Sequence, residues 1–239
     1  NTNFIDSTDS ILNQIAQLYY KQSFMDDQLA LAFGKMDANA PFVAVAAAGA
    51  FQNSIAMFTP TLNAFIPTYP NESTAVMGKI GDSDFFTLQV GLFDGTSAAY
   101  DASTGITGPA TGPRGPETFF HNDGHWWVVA QMDFAWEINE ELPGSLGLGA
   151  WLQTGLVATQ GLDQAGVSDV PGWYVQWQQT LWTLNKDLAQ DGGGLTYFGQ
   201  FGWSDPDKNP VHWSLMTGFS ATGFMTKRPA DSLGLMFAY

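Results

Sequence analysis

The sequence predicts an all-β fold, an antiparallel transmembrane β-barrel, on three observations. Period-two alternation of apolar residues recurs in about ten segments, which puts the apolar residues of each on one face of a strand. The opposite faces carry Gly, Gln, Thr and Ser with few charges, whereas the water-facing side of a soluble sandwich carries abundant Lys and Glu. Glycine and aromatics are plentiful while charge is scarce: 26 glycines in 239 residues (about 11%, against about 7% in ordinary proteins), 14% aromatic and 13% charged.

Taken along the chain, 10–24 alternates weakly, and 28–37 sets Leu29, Leu31 and Phe33 against Ala30, Ala32 and Gly34. Segment 74–81 is a weak strand; 84–94 places Phe86, Leu88, Val90 and Leu92 opposite Phe85, Thr87, Gln89 and Gly91. The clearest pattern is 125–138, with Trp126, Val128, Ala130, Met132, Phe134, Trp136 and Ile138 on one face. Trp127, Val129, Gln131, Asp133, Ala135 and Glu137 form the other. At about 3.3 Å per residue this strand spans about 43 Å, well beyond an ordinary strand and long enough for a tilted membrane crossing.

Segment 144–155 sets Leu146, Leu148, Ala150 and Leu152 against Gly147, Gly149, Trp151 and Gln153. Segment 172–185 sets Trp173, Val175, Trp177 and Leu181 against Tyr174, Gln176, Gln178 and Thr180, with Gln179 interrupting the apolar face. Segment 193–204 opposes Leu195, Tyr197, Phe201 and Trp203 to Thr196, Phe198, Gln200 and Gly202. Segment 210–223 opposes Trp213, Leu215 and Phe219 to His212, Ser214, Gly218 and Ser220, and the chain ends on DSLGLMFAY in the same alternation.

Short turns at 25–28, 81–84 and 139–144 contrast with long connections at 38–73, 95–123 and 156–171, the rim asymmetry of an outer-membrane barrel. The Gly/Pro/Thr-rich 95–123 reads as a surface loop without a packed interior. Segment 38–73 is too apolar and alanine-rich for an exposed loop. It suggests a short helix over 43–57 and an extended, Pro-punctuated return, folded inward to narrow the barrel; the competing reading is a helical lid on a soluble sheet.

Composition removes several function classes. Eight basic against 23 acidic residues give a formal charge of −15 with no Lys/Arg cluster, which excludes a nucleic-acid partner. Cysteine is absent, removing disulfide scaffolds, thiolate metal sites and cysteine nucleophiles. No run of 18 to 20 apolar residues marks a transmembrane helix, a test that does not bear on β-barrels. The chain opens NTNFIDSTDS, without Met or a basic region, and reads as a processed or excised piece.

The stretches LALAFGKMDANAPFVA at 29–44, PTYPNES at 67–73 and VGLFDG at 90–95, with GWSDPDKNPVHWSLMTGFSATGFMTKRPADSLGLMFAY from 202 onward, resemble the carbohydrate-selective porins of the OprB type. Met236 stands where that family usually has a second glycine. The resemblance implies a sixteen-stranded barrel of the bacterial outer membrane that passes sugars by diffusion, with no cofactor and no catalytic step. It further implies that this chain, read as one barrel domain over 1–239, covers an internal part of the family's length and lacks closing strands at both ends. Mono- or oligosaccharides and outer-membrane lipid are the expected partners, as a homotrimer or a monomer.

Candidate pore-lining or sugar-contact residues follow from the polar faces: Asp37, Asn39, Gln89, Trp127, Gln131, Asp133, Glu137, Trp151, Gln153, Gln176, Gln178 and Gln200. The amides and carboxylates exchange hydrogen bonds with water or sugar hydroxyls, or only solvate the wall; Asp37 alternatively makes a local cap. Trp127 and Trp151 either stack on pyranose faces or pack against the insertion. Trp126, Trp136, Trp173, Trp203, Trp213 and Tyr239 read as lipid-facing or girdle aromatics. The formal charge predicts poor passage of anions, and the only arginines, Arg114 and Arg228, fall in connections.

Catalytic and metal patterns are weak. His121 and His125 have no third ligand nearby, and DPDKN at 205–209 lacks the glycine and distal glutamate of a calcium loop. Asp133 and Glu137 lie about 13 Å apart on a strand, beyond the roughly 5 to 9.5 Å of glycosidase acids. A soluble carbohydrate-binding or hydrolytic β-protein and a non-conducting structural barrel are the alternative readings.

Overall fold

The computed structural model describes residues 15–49, 51–56, 58–69, 72–82, 84–98, 100–101, 106–107, 116–139, 141–158, 166–183, 194–224, 228 and 231–239. Ten strands form one antiparallel sheet in which each strand pairs with its sequence neighbours. They are β1 (Leu18–Phe24), β2 (Leu29–Met36), β3 (Ser73–Asp82), β4 (Phe86–Asp94), β7 (Trp126–Ile138), β8 (Leu142–Ala158), β9 (Gly166–Trp182), β10 (Gly194–Ser204), β11 (Trp213–Thr222) and β12 (Ser232–Ala238). A two-residue pair, β5 (Tyr100–Asp101) with β6 (Ile106–Thr107), and a short helix α1 (Pro116–Phe120) lie in the connection between β4 and β7. Strands β1 and β12 form the two edges of the ten-stranded sheet.

Because every strand reverses, the connections sort strictly to two rims. One rim holds the turns 25–28, 83–85 and 139–141 together with 183–193 and 223–231; the other holds 37–72, 95–125, 159–165 and 205–212. Both very long connections therefore leave from the same rim. The connection expected over 156–171 is much shorter, since β8 and β9 pair outward to Ala158 and Gly166. A register shift between Gln153 and Leu156, with Gly155 at φ +78°, and Asp169 at φ 55° break the alternation there, so the period-two signal stops before the strands do.

Alternation produces two unlike faces. On the outer face Leu31, Phe33, Val76, Ile80, Val90, Met132, Phe219, Leu233, Leu235 and Phe237 are all exposed large apolar side chains. So continuous an apolar surface is unfavourable in water, and contradicts the soluble alternative. The inner face is buried by the chain itself. Gly149 leaves the slot that the Tyr174 ring fills, and Gly172 does the same for Trp151 on the neighbouring strand; on the outer face Gly199 makes room for Trp177.

Segment 37–72 plunges over the inner face, and the register gives its path. It starts at the long-loop rim, where the Ala38 N–H donates to Pro67 O (2.9 Å) and closes the base. It reaches mid-sheet at Val43, opposite β7, descends past Ala47 opposite β9, and climbs back at Thr59 and Thr61 against β11 and the 205–212 loop. Its apolar residues Phe42, Val43, Leu62, Phe65 and Ile66 pack with Phe93, Trp127, Val129, Trp151 and Tyr174 in one core; Val45, Ala48 and Ala56 pack with Phe198 and Met216 in a second. The helix expected over 43–57 is absent: Ala46–Ala48, Ser54–Ala56 and Pro60–Leu62 are isolated 3₁₀ turns. The Val43 and Ala47 N–H groups are captured by Gln131 and Gln178 of the sheet, while those of Ala48, Gly49, Phe51 and Ala56 bond carbonyls three residues back, in single tight turns.

The described part of the 95–123 connection also differs from expectation. Helix α1 lies on the outer face, where the Phe119 ring meets Trp126 at 5.1 Å and Phe33 at 6.2 Å, both edge-on. Thr118 and Asn122 are buried there. Most of the Gly/Pro-rich text that suggested an unpacked loop, 102–105 and 108–115, lies outside the described residues. So do residues 10–14 and 184–185 of the segments read as strands.

Candidate functional site: the constriction and its polar belt

The polar residues of the strands meet the insertion as a row of amide clamps. Gln131 on β7 is the centre: its Oε1 accepts from the Val43 N–H (3.1 Å) and the Tyr174 hydroxyl (2.6 Å), and its Nε2 donates to Asp133 Oδ1 (2.7 Å). Val43 sits at φ 56°, a left-handed conformation costly for a β-branched residue, so Gln131 holds the backbone where it is least content. Gln89 donates to Pro41 O (3.0 Å), Gln178 accepts from the Ala47 N–H (3.1 Å) and Gln200 donates to Ile55 O (2.9 Å). Asn209 donates to Thr61 O (2.8 Å), and the hydroxyls of Thr59 and Ser214 lie 2.5 Å apart. A glutamine suits this task because its amide both donates and accepts, and can serve any unpaired backbone group.

The other sequence candidates divide. Asp37 accepts from the Asn39 N–H (2.8 Å), a local turn at the start of the insertion; the Asn39 side chain is buried. Gln153 is buried at the rim and donates to Gly95 O and Thr154 O. Trp127 and Trp151 are not free platforms for a sugar. Trp151 stacks on Phe65 of the insertion (5.3 Å, 29°), Trp127 meets Phe93 edge-on (5.4 Å), and both are buried. Glu137 lies exposed near the short-turn rim, opposite Pro143.

Two recesses remain open beside the insertion, both lined by Pro41 and Gln89. One, of about 330 Å³, is lined by Tyr19, Lys21, Lys79 and Asp37 as well; the other, of about 260 Å³, by Asp133, Gln176, Gln178 and the Ala44–Ala46 backbone. The lysines were missed in the sequence because β1 and β3 alternate weakly. Their register places Lys21 and Lys79 across from Ala32 and Ala30 on the inner face. The inner face thus carries both signs of charge, although the sequence pattern predicts only amides, carboxylates and aromatics there.

On the outer face most of the expected girdle aromatics gather at one rim. Trp173, Phe201 and Trp203 cluster with Trp213 and Tyr239 at the long-loop rim, the last pair stacked at 4.7 Å and 22°. Trp126 belongs to the same rim, and Trp136 lies toward the other. Ten residue steps at about 3.3 Å, tilted by about 45°, separate these two rings by about 23 Å along the barrel axis, the height of an outward apolar band between aromatic girdles. Gln179, which interrupts the apolar pattern of β9, accepts from the Trp136 indole N–H (2.8 Å) and donates to Leu142 O (3.1 Å).

The histidines and the DPDKN turn have local partners. His125 ring nitrogens lie 2.9 Å from Asn122 O and 3.0 Å from Leu156 O, and His121 Nδ1 lies 3.3 Å from Glu117 O. Asp205 Oδ1 accepts from the Asp207 N–H, closing the turn (3.0 Å).

The family model described as "Carbohydrate-selective porin, OprB family" matches residues 9–239. The chain belongs to that family. Membership gives it an outer-membrane location. Among solved structures, the high-pH structure of Pseudomonas putida OprB superposes with a TM-score of 0.73 at 21% identity, covering 94% of this chain and 53% of that one. The low-pH structure of the same protein gives a TM-score of 0.53 at 20% identity, covering 94% and 51%. At these identities the two structures establish the fold, the antiparallel sheet of an OprB porin. The chain spans about half the length of the structures it matches. No curated protein matches it.

Proposed function

We propose that this chain forms part of the wall, and the constriction, of a passive outer-membrane channel for carbohydrates and similar small polar solutes, one that performs no catalytic step. The observation that carries the reading is the insertion tied across the inner face by Gln89, Gln131, Gln178 and Gln200. An apolar segment that buries itself on the inner wall of a porin sheet narrows the passage, and its clamps keep the narrowing at a fixed width. Solutes are sorted by size there and by weak hydrogen bonding along the two open recesses. Affinity stays modest, because a site that holds its solute tightly stops flux. In this reading Asp37, Gln89, Asp133, Glu137, Gln176 and Gln178 reach the solute path, while Trp126, Trp136, Trp173, Trp203, Trp213 and Tyr239 face lipid or its interface.

Reconstitution of the full-length protein in planar bilayers tests this. Single-channel current steps that shrink on adding a neutral sugar are expected; insertion without steps would leave a non-conducting barrel. The lipid-facing assignment has its own test. Val90 lies midway along β4 on the exposed outer face. Val90→Arg is expected to cost about 2–4 kcal/mol in denaturant titrations of folding into lipid vesicles. An unchanged midpoint would remove that face from the bilayer.

A further inference from the structure

The 260 Å³ recess has a chemistry that its neighbour lacks. Most of the hydrogen-bonding capacity around it is already used. The Gln131 amide serves Val43, Tyr174 and Asp133; the Gln89 amide N–H groups serve Pro41 O and, at 3.5 Å, Asp133 Oδ2; Gln178 Oε1 serves Ala47. Two acceptors are left over. Gln176 is only 8% exposed, and its Oε1 is buried without a hydrogen-bond partner. An acceptor that has left water and found nothing in the protein calls for a donor from outside. Asp133 receives one short bond, on Oδ1, and two contacts at the 3.5 Å limit from Thr87 and Gln89 on Oδ2, so of its roughly four lone-pair positions one is free and two are only weakly engaged.

Gly147 lies between them in the sheet, paired with Asp133 on one side and Gln176 on the other. A methyl group there would come within 2.8 Å of Asp133 Oδ1 and of Gln176 Nε2, so both side chains converge over the space that this glycine leaves. Among the described residues no lysine or arginine lines this recess; Lys21 and Lys79 line the other one, Lys79 across from the shared Gln89.

We infer that the Asp133–Gly147–Gln176 recess is a docking point for paired hydroxyl groups of an uncharged polyol, and a point at which the channel discriminates against anionic sugars such as sugar phosphates. The inference rests on the porin reading above and names the residues and solute charge that the passage selects. A hydroxyl pair donates to Asp133 and Gln176 Oε1 together. A phosphate ester brings only acceptors and negative charge to two groups that are themselves acceptors, one of them a carboxylate.

The test uses the full-length protein in planar bilayers, with glucose and glucose 6-phosphate as the probes. In the wild type, glucose is expected to half-block the current at a concentration at least tenfold lower than glucose 6-phosphate. Gln176→Leu keeps the bulk of the side chain and removes the acceptor, and should raise the glucose half-blocking concentration about tenfold while channels still open. Gly147→Ala sets a methyl 2.6 Å from Gln176 Cγ and 2.8 Å from Asp133 Oδ1, which displaces both side chains from the slot, and should weaken glucose block to a similar extent. Equal block by the two probes in the wild type, or wild-type glucose block in both variants, overturns the docking point and leaves the porin reading intact. A wild-type protein that forms no channel sinks the porin reading itself and the docking point with it.

Discussion

Replacing Gln131 by leucine is expected to unseat the inserted segment and open the channel. Leucine has similar bulk, so the sheet keeps its packing, but the Val43 N–H and the Tyr174 hydroxyl lose their glutamine partner, and the Asp133 carboxylate loses its one short hydrogen bond while keeping the longer contacts from Thr87 and Gln89. The first two are buried, and each group left unsatisfied costs about 1–3 kcal/mol. The groups share one network, so their costs are not simply additive. A loss of about 2–4 kcal/mol is expected, and the cheapest relief is for 42–48 to lift away. Val43 then escapes its left-handed conformation, which makes release easier still. The expected result is a severalfold larger single-channel conductance, with block by neutral sugars lost and a lower unfolding midpoint. A conductance equal to the wild type would mean that apolar packing alone holds the constriction.

Gly149→Val is expected to do more harm, preventing assembly of the folded sheet. The Tyr174 ring lies directly over Gly149, and a Cβ there would stand 2.0 Å from Cζ and 2.4 Å from both Cε atoms. A ring pressed between strands does not shift by the ångström or more required, so it must leave its slot. Its departure forfeits a fully buried aromatic, about 3–5 kcal/mol, and takes away one partner of Gln131 as well. Combining the substitution with Tyr174→Ala, which empties the slot, should restore folded protein with a loosened constriction. Heat-modifiable migration on gels reads the folded fraction. Folding of Gly149→Val alone to wild-type yield would show that the ring is free to swing aside.

The strand pattern was legible because alternation is enforced twice, by lipid on one side and by a packed insertion on the other. Leu31, Phe33 and Val90 could be assigned to one face, and Gln89, Gln131, Gln178 and Gln200 to the other, from spacing alone. What those glutamines do was not legible. Their partners are backbone atoms of Pro41, Val43, Ala47 and Ile55, brought near only by the fold, and a backbone N–H leaves no mark on the sequence. For Trp127 and Trp151 the sequence left two readings open, stacking on a sugar or packing against the insertion, because their faces were otherwise polar. Phe65, far away in the chain, is what occupies Trp151. The alanines of 43–57 suggested a helix by propensity, but local preference is weak beside side-chain capture of N–H groups and packing on Phe198 and Met216. Lys21 and Lys79 were missed because β1 and β3 carry the weakest alternation. Had 18–24 been aligned against 29–35 as a hairpin, Lys21 would have fallen on the face of Ala32.

The docking of the insertion on the inner wall is the claim on which the rest depends, and one cross-link tests it. The hydroxyls of Thr59 and Ser214 are 2.5 Å apart and buried, on elements separated by most of the chain, and residues 1–239 contain no cysteine of their own. Hydroxyls this close put their Cβ atoms within about the 3.5–4.5 Å that a disulfide spans. In the full-length protein carrying Thr59→Cys and Ser214→Cys, oxidation is expected to give a near-complete disulfide, read as a reductant-sensitive shift on gels, with the single-channel conductance of the wild type. Thiols that stay free, reactive toward a water-soluble maleimide at both positions, would contradict the account: the insertion would not lie on the inner wall.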